Sequence, residues 1–392
     1  MTKKRIIWLI VIIIILLPLW MVVWWCLTPK KKLVVAIIDK TVLTPDGQEH
    51  VSLTWILNHE KFTKNKTELY KVSRDYFGFF PFANEKYRIK GLERFSNDQL
   101  NQLSNDADLV YITDAYGVYR NEWLSQKNNT ERSGMIYGGL SEQDINFLSD
   151  IKAKHKLILT EFNSIGSPTS DDIRDKFEQL FSLHWTGWTG RFFESLDTNI
   201  NTELPRWLIN DYKRENGGKW PFTKEGIAFV NNKDQVVVLE KDTHLTQPIP
   251  KIITSEAAAR AYNLPEQINY PFWFDVLTTD TSVNKILSHF QIDFNNAGKA
   301  ELVKYGIPLT FPAVQMHIGD DYQFAYFSAD FSDNPLDISS SYFKGAEYFK
   351  FLFYNHLDHI DRRKFFWFYY RPLITKILDD YYDKIKKHHL GR

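Results

Sequence analysis

The chain has 392 residues, 48 Lys+Arg against 48 Asp+Glu, 44% hydrophobic and 16% aromatic residues, and one cysteine. Hydrophobicity at that level with no net charge excludes an intrinsically disordered chain, and one thiol excludes both a disulfide framework and a cysteine-built zinc site. Without a basic excess, no nucleic-acid partner is expected.

The charge is unevenly spread. Residues 1–27 carry Lys3, Lys4 and Arg5 and no acid, which leaves 45 basic against 48 acidic residues, −3, in the remainder. The uncharged stretch 6–27 would extend about 33 Å as a helix, enough for a hydrocarbon core of about 30 Å. Trp20, Trp24 and Trp25 crowd its end, where indoles suit the headgroup level. The run is longer than a signal-peptide core and lacks a small-residue cleavage site. The sequence therefore predicts a short cytoplasmic tail over 1–5 and a transmembrane helix over 6–27 holding Cys26, with the lipid bilayer as a partner. The free amine and short leader place the bulk of this single-pass chain outside the cytoplasm.

Beyond the leader, Leu33-Val34-Val35-Ala36-Ile37-Ile38, ending at Asp39, reads as a strand buried on both faces. Val51, Trp55, Ile56 and Phe62 suggest a helix. Asp108-Leu109-Val110-Tyr111-Ile112-Thr113 is a second such strand. Ser141 then caps a helix carrying Ile145, Leu148 and Ile151, which feeds a third strand at 156–160. Another helix begins near Asp171 and Asp172, with Ile173, Phe177, Leu180 and Phe181 on one stripe. Strands alternating with helices at these spacings predict a parallel, doubly wound α/β sheet.

From about 204 the texture changes. Apolar runs on either side of Asn231-Asn232-Lys233-Asp234 predict a β-hairpin. Ile286, Leu287 and Phe290 suggest a helix, and Pro308 with Pro312 argues against a central strand over 307–312. Residues 322–328 return to strand character. After Gly345 the chain reads as helical to its end, with an aromatic cluster over 365–370 that is expected to pack on the sheet.

The order of features resembles the class I glutamine amidotransferase-like superfamily. It comprises an apolar first strand, Asp108-Leu109-Val110-Tyr111-Ile112, Gly138-Gly139-Leu140-Ser141 opening a helix, and Leu157-Ile158-Leu159-Thr160 before a tight turn. The resemblance covers 33–200 and 322–360, and it implies an amidotransferase-like, doubly wound, mostly parallel α/β sheet behind one N-terminal transmembrane helix. A core over 33–200, an inserted mixed α/β region over 201–321, and a final strand with C-terminal helices over 322–392 complete the expected organisation. It also implies a nucleophilic cysteine after the strand at 156–160 and a histidine after a late strand. Here those turns read Glu161-Phe162-Asn163-Ser164 and Ser328-Ala329-Asp330-Phe331-Ser332-Asp333, so amidotransferase chemistry is unsupported.

Ligands of such sheets bind beyond the carboxyl ends of the strands. That rule selects Asp39, Asp114 with Tyr116, Glu161 with Asn163, and Asp330. Trp185, Trp188 and Arg191, in a Trp-Thr-Gly repeat, offer flat faces and a cation on which sugar rings would stack. The lead expectation is a module, non-catalytic as an amidotransferase, that binds an envelope polysaccharide or a membrane partner complex. The alternative is a carbohydrate-active hydrolase in which Glu161 and Asp114 are the catalytic pair. No cofactor is implied. A metal reading would take Asp39, Asp114, Asp330 and Asp333 as oxygen ligands, and His356 and His359 stand three apart on an expected helix, but no metal site is predicted.

Overall fold

The computed structural model describes residues 3–45, 49–124 and 131–390, without the side chains of residues 3–7, 9–12 and 388–390. Strands β1 to β5 are Val35–Asp39, Phe77–Pro81, Tyr87–Lys90, Leu109–Asp114 and Leu157–Glu161. Strands β6 to β10 are Leu183–Phe193, Gly226–Asn231, Val236–Glu240, Leu245–Thr254 and Gln267–Asn269. Strands β11 to β14 are Phe274–Thr279, Lys285–Phe294, Thr310–Ile318 and Gln323–Phe327. The helices used below are α1 Lys3–Leu27, α2 Val51–His59, α3 Asn97–Asp106, α4 Glu142–Ala153, α5 Asp171–Phe181 and α6 Arg371–Leu390.

Ten strands form one sheet in the order β10-β9-β12-β13-β14-β5-β4-β1-β2-β3. Pairing is parallel from β14 through β5, β4 and β1 to β2, and antiparallel at every other position. A mixed α/β fold therefore replaces the expected mostly parallel sheet. Strands from the 201–321 stretch continue this sheet, because β13 pairs antiparallel with β14 and carries the ladder outward. A second sheet, β8-β7-β6-β11, is antiparallel throughout.

The central strands alternate between two cores. Val35, Ile37, Leu109, Tyr111, Leu157 and Leu159 face one core with α2 and the C-terminal aromatics. Ala36, Ile38, Val110, Ile112 and Ile158 face the other, with α4 and α5. This burial of both faces is why these strands are apolar at every position. Helix α4 opens on a full capping box between Ser141 and Asp144, as the sequence predicts. Phe365, Phe366, Trp367, Tyr369 and Tyr370 are buried in the first core, and a π turn over Phe366–Tyr370 feeds them into α6.

Three expectations need correction. The stretch carrying Ile286, Leu287 and Phe290 is strand β12, since pairing with β9 and β13 on its two sides overrides the local helical spacing. Pro312 lies in strand β13 where pairing is one-sided: it registers with His289 of β12, and the ladder to β14 begins at Val314, an edge-like position that tolerates a missing N–H. His356 and His359 are not on a helix, because the chain leaves helical structure between Leu352 and Arg362.

Among the described residues no helix is long and apolar enough to cross a membrane, which overturns the transmembrane helix over 6–27 and the single-pass, extracytoplasmic localisation. Side chains 6, 7 and 9–12 of that segment lie outside the described residues. The carboxyl end of α1 is tied to the rest of the fold. The Trp25 indole N–H donates to Asn58 O at 3.0 Å, Lys61 Nζ donates to Cys26 O at 2.9 Å, and Trp25 packs edge-on against Tyr342.

Candidate functional site

The parallel register brings the carboxyl ends of β1, β4, β5 and β14 to one edge. Asp39 pairs with Asp114 and Phe327 with Glu161, so the chain leaves β14 into Ser328–Asp333 beside the three acidic strand ends.

Asp39 is fully buried. Its Oδ1 accepts the Thr41 N–H at 3.0 Å and its Oδ2 lies 2.5 Å from His50 Nδ1. His50 immediately precedes α2, and its Nε2 lies 2.8 Å from Val72 O. Both ring nitrogens face oxygen atoms. Asp114 accepts the Tyr116 N–H; burial pushes its carboxyl well above the ordinary range, that bond pulls it back, and Asp330 and Asp39 push it further up.

Glu161 is sealed from solvent. Tyr111 bonds its Oε1, the Ser332 N–H donates to Oε2 at 3.0 Å, and the Tyr111 and Tyr370 hydroxyls meet at 2.8 Å. Burial raises its pKa to about 8, against the pull of the Tyr111 and Ser332 bonds. In the turn that follows, Asn163 adopts a left-handed backbone conformation and donates its N–H to Asp275 of β11 at 3.2 Å. Asp275 also accepts the Thr189 hydroxyl at 2.9 Å, and burial raises its carboxyl to about 7. The Ser164 hydroxyl is buried and donates to Glu161 O at 2.6 Å, an engagement opposite to that of a nucleophile.

Nearer the surface, Asp330 and Asp333 share Arg362. Its Nη1 is 3.2 Å from Asp330 Oδ2 and 2.5 Å from Asp333 Oδ2, and its guanidinium lies 3.9 Å from the Phe272 ring centroid. Glu49 completes the cluster. It is buried, and carboxylate oxygens of Glu49, Asp330 and Asp333 lie within 4.8 Å of one another. Burial first, then the charges of Asp330, Asp333, Asp114 and Asp39, raise its carboxyl well above the ordinary range. A groove of about 870 Å³ opens beside the cluster, with Val51, Leu336, Asp337, Tyr342, Asp333 and Arg362 on its walls.

Of the residues selected from sequence, Asp39, Asp114 and Asp330 share one electrostatic field, and Asp330 also raises Glu161. Glu161 and Asp114, the expected catalytic pair, are both buried at the ends of neighbouring strands. Burial raises both carboxyls, and both oxygens of Glu161 are already bonded, to Tyr111 and to the Ser332 N–H. Tyr116 contributes its backbone to Asp114 and packs its ring at a tilt against Tyr119. The stacking surface expected from Trp185 and Trp188 is corrected: they are 4% and 5% exposed, and the Trp185 indole N–H donates to Trp188 O at 3.0 Å. Arg174 lies 4.7 Å from the Trp185 ring centroid, so no open face remains for a sugar. Arg191 bonds Glu203 at 2.7 Å and senses Arg362 and Asp330 electrostatically.

Sequence reasoning missed Glu49, His50 and Arg362. The only local signal was the placement of Glu49-His50 between the Asp39 strand end and the apolar start of α2.

No family model and no curated protein matches this chain. Among solved structures it is similar to a beta-galactosidase from Rahnella sp. R3 at 10% identity and TM-score 0.28, covering 61% of this chain and 22% of that one. It is similar to the carbohydrate deacetylase Agd3 at 9% identity and TM-score 0.31, covering 76% and 29%. It is also similar to a putative ThuA-like protein from Parabacteroides merdae at 10% identity and TM-score 0.35, covering 81% and 89%. Likeness of this degree bears no weight on activity; the chain spans about a fifth of the beta-galactosidase.

Proposed function

We propose that this protein is a polysaccharide-binding module without amidotransferase activity, and that its ligand lies in the groove at the carboxyl edge of the ten-stranded sheet. The observation that carries this reading is the groove itself: about 870 Å³, with Asp333, Asp337 and Arg362 beside Val51, Leu336 and Tyr342. Carboxylates accept and guanidinium groups donate hydrogen bonds to paired hydroxyls, and apolar walls cover the C–H faces of a sugar ring. The turn after β5 offers no thiol, and its serine hydroxyl is engaged by Glu161 O.

The test is binding of the full chain to neutral, acidic and amino polysaccharides by affinity electrophoresis or calorimetry. Leu336→Ala and Tyr342→Ala alter partly exposed groove walls. Each is expected to weaken binding at least about tenfold, the loss of about 1.4 kcal/mol of contact, in variants shown to be folded by circular dichroism. Absence of binding to every polysaccharide, or binding indifferent to both substitutions, refutes the reading.

A further inference from the structure

We propose that Glu49, Asp330 and Asp333 form a binding site for a hard divalent cation of calcium size. Three observations converge on these residues.

The first is distance. A calcium ion holds oxygen ligands at about 2.4 Å, so two ligands of one ion lie at most about 4.8 Å apart. Carboxylate oxygens of Glu49, Asp330 and Asp333 all fall within 4.8 Å of one another. Magnesium demands near-ideal octahedral geometry, usually keeps several waters and is bound through one or two carboxylates, so a cluster of three suits calcium better.

The second is an unsatisfied group. Glu49 is 5% exposed, and its Oε2 is buried with no hydrogen-bond partner among the described residues. A buried carboxylate oxygen without a donor is costly, and polar groups of this kind in native folds are ordinarily met by a donor, a water or an ion. The other two members of the trio are the groups this side chain approaches, and neither supplies a hydrogen.

The third is charge balance. Arg362 lies between Asp330 and Asp333, and His50 is engaged by Asp39. Ionised around a cation, three carboxylates facing one guanidinium carry an excess of two negative charges, with Asp114 and Asp39 adding to the same field. A divalent cation neutralises that excess. Arg362 does not consume the aspartates, because each carboxylate offers about four lone-pair directions. Asp333 and Arg362 also face the groove, which gives an ion a route from solvent.

The cation site shares Asp333 and Arg362 with the groove but does not rest on the polysaccharide reading, and its test uses no sugar. The full chain, stripped with chelator, is titrated with Ca²⁺, Mg²⁺ and Mn²⁺ by calorimetry, alongside thermal denaturation. The expected result is one saturable Ca²⁺ per chain, in the range of about 10⁻⁵ to 10⁻³ M, and a rise in Tm. Glu49→Gln keeps the shape and removes one charge, so it is expected to weaken Ca²⁺ at least about tenfold. Arg362→Gln removes the competing cation and is expected to strengthen Ca²⁺ binding. No Ca²⁺ binding by the wild type, tighter Mg²⁺ than Ca²⁺, or Ca²⁺ affinity unchanged in Glu49→Gln would each overturn the proposal. Should Glu49→Gln fail to fold, weaker Ca²⁺ binding in Arg362→Gln than in wild type overturns it independently.

Discussion

Replacing Glu161 by glutamine should make the protein more resistant to alkaline pH. In the native state the Glu161 carboxyl holds its proton to about 8, because burial penalises the charged form. In the unfolded chain it ionises near its ordinary value of 4.5. Between those limits the native state binds a proton that the unfolded state has released, so raising the pH favours unfolding. This contribution is fully present below 4.5 and is lost as pH rises through about 8. At about 1.4 kcal/mol per pH unit, the loss amounts to about 5 kcal/mol. The amide of Glu161→Gln matches the neutral acid: its oxygen can accept the Ser332 N–H and its nitrogen can donate to the Tyr111 oxygen. Urea denaturation of both proteins between about pH 5 and about pH 9 isolates the effect, since other titrating groups cancel in the difference. The variant should be close to wild type at the acid end and more stable by several kcal/mol at the alkaline end. A difference that does not grow with pH, or one that grows in favour of wild type, would refute the buried-acid reasoning.

Three further outcomes follow from the same geometry. Asp275→Asn should likewise flatten the pH dependence, here between 3.8 and about 7, again by removing stability that is lost as pH rises; matching denaturation midpoints against pH in the two proteins would contradict this. His50→Ala strips the partner from a fully buried Asp39 and should cost about 3–5 kcal/mol, read as a fall in the urea midpoint; a cost near zero would show that the pair is not buried as described. Trp185→Ala and Trp188→Ala should each cost about 3–5 kcal/mol through the cavity left behind. Calorimetric Tm values close to wild type would restore these rings as a surface.

Local sequence carries the central strands because β1, β4 and β5 are buried on both faces and must be apolar at each position. The α4 capping box and the β7–β8 hairpin are equally local, set by residues within a few positions of one another. The polar edge is legible for a related reason: a parallel strand that ends in Asp or Glu places it beside its neighbours' ends. Side-chain contacts across that edge are a different matter. Glu49 and Arg362 are 313 positions apart in the sequence, and nothing in the spacing of either one records that the two meet at Asp330 and Asp333.

Tertiary structure alone decided the rest. Ile286, Leu287 and Phe290 have a spacing that suits a helix, yet two partner strands supply ladder bonds that hold them extended. Pro312 is tolerated in β13 because it pairs on one side only, with His289, the ladder to β14 beginning at Val314. The Trp-Thr-Gly segment has the composition of a sugar platform, but β11 and β7 flank it, and Gly190 admits the Phe274 ring where a Cβ would stand 2.6 Å away. Residue type and period fix which groups are apolar, capped or able to bond. Whether a given face is buried, and which charges share its field, depends on contacts between distant segments, and those exist only once the chain has folded.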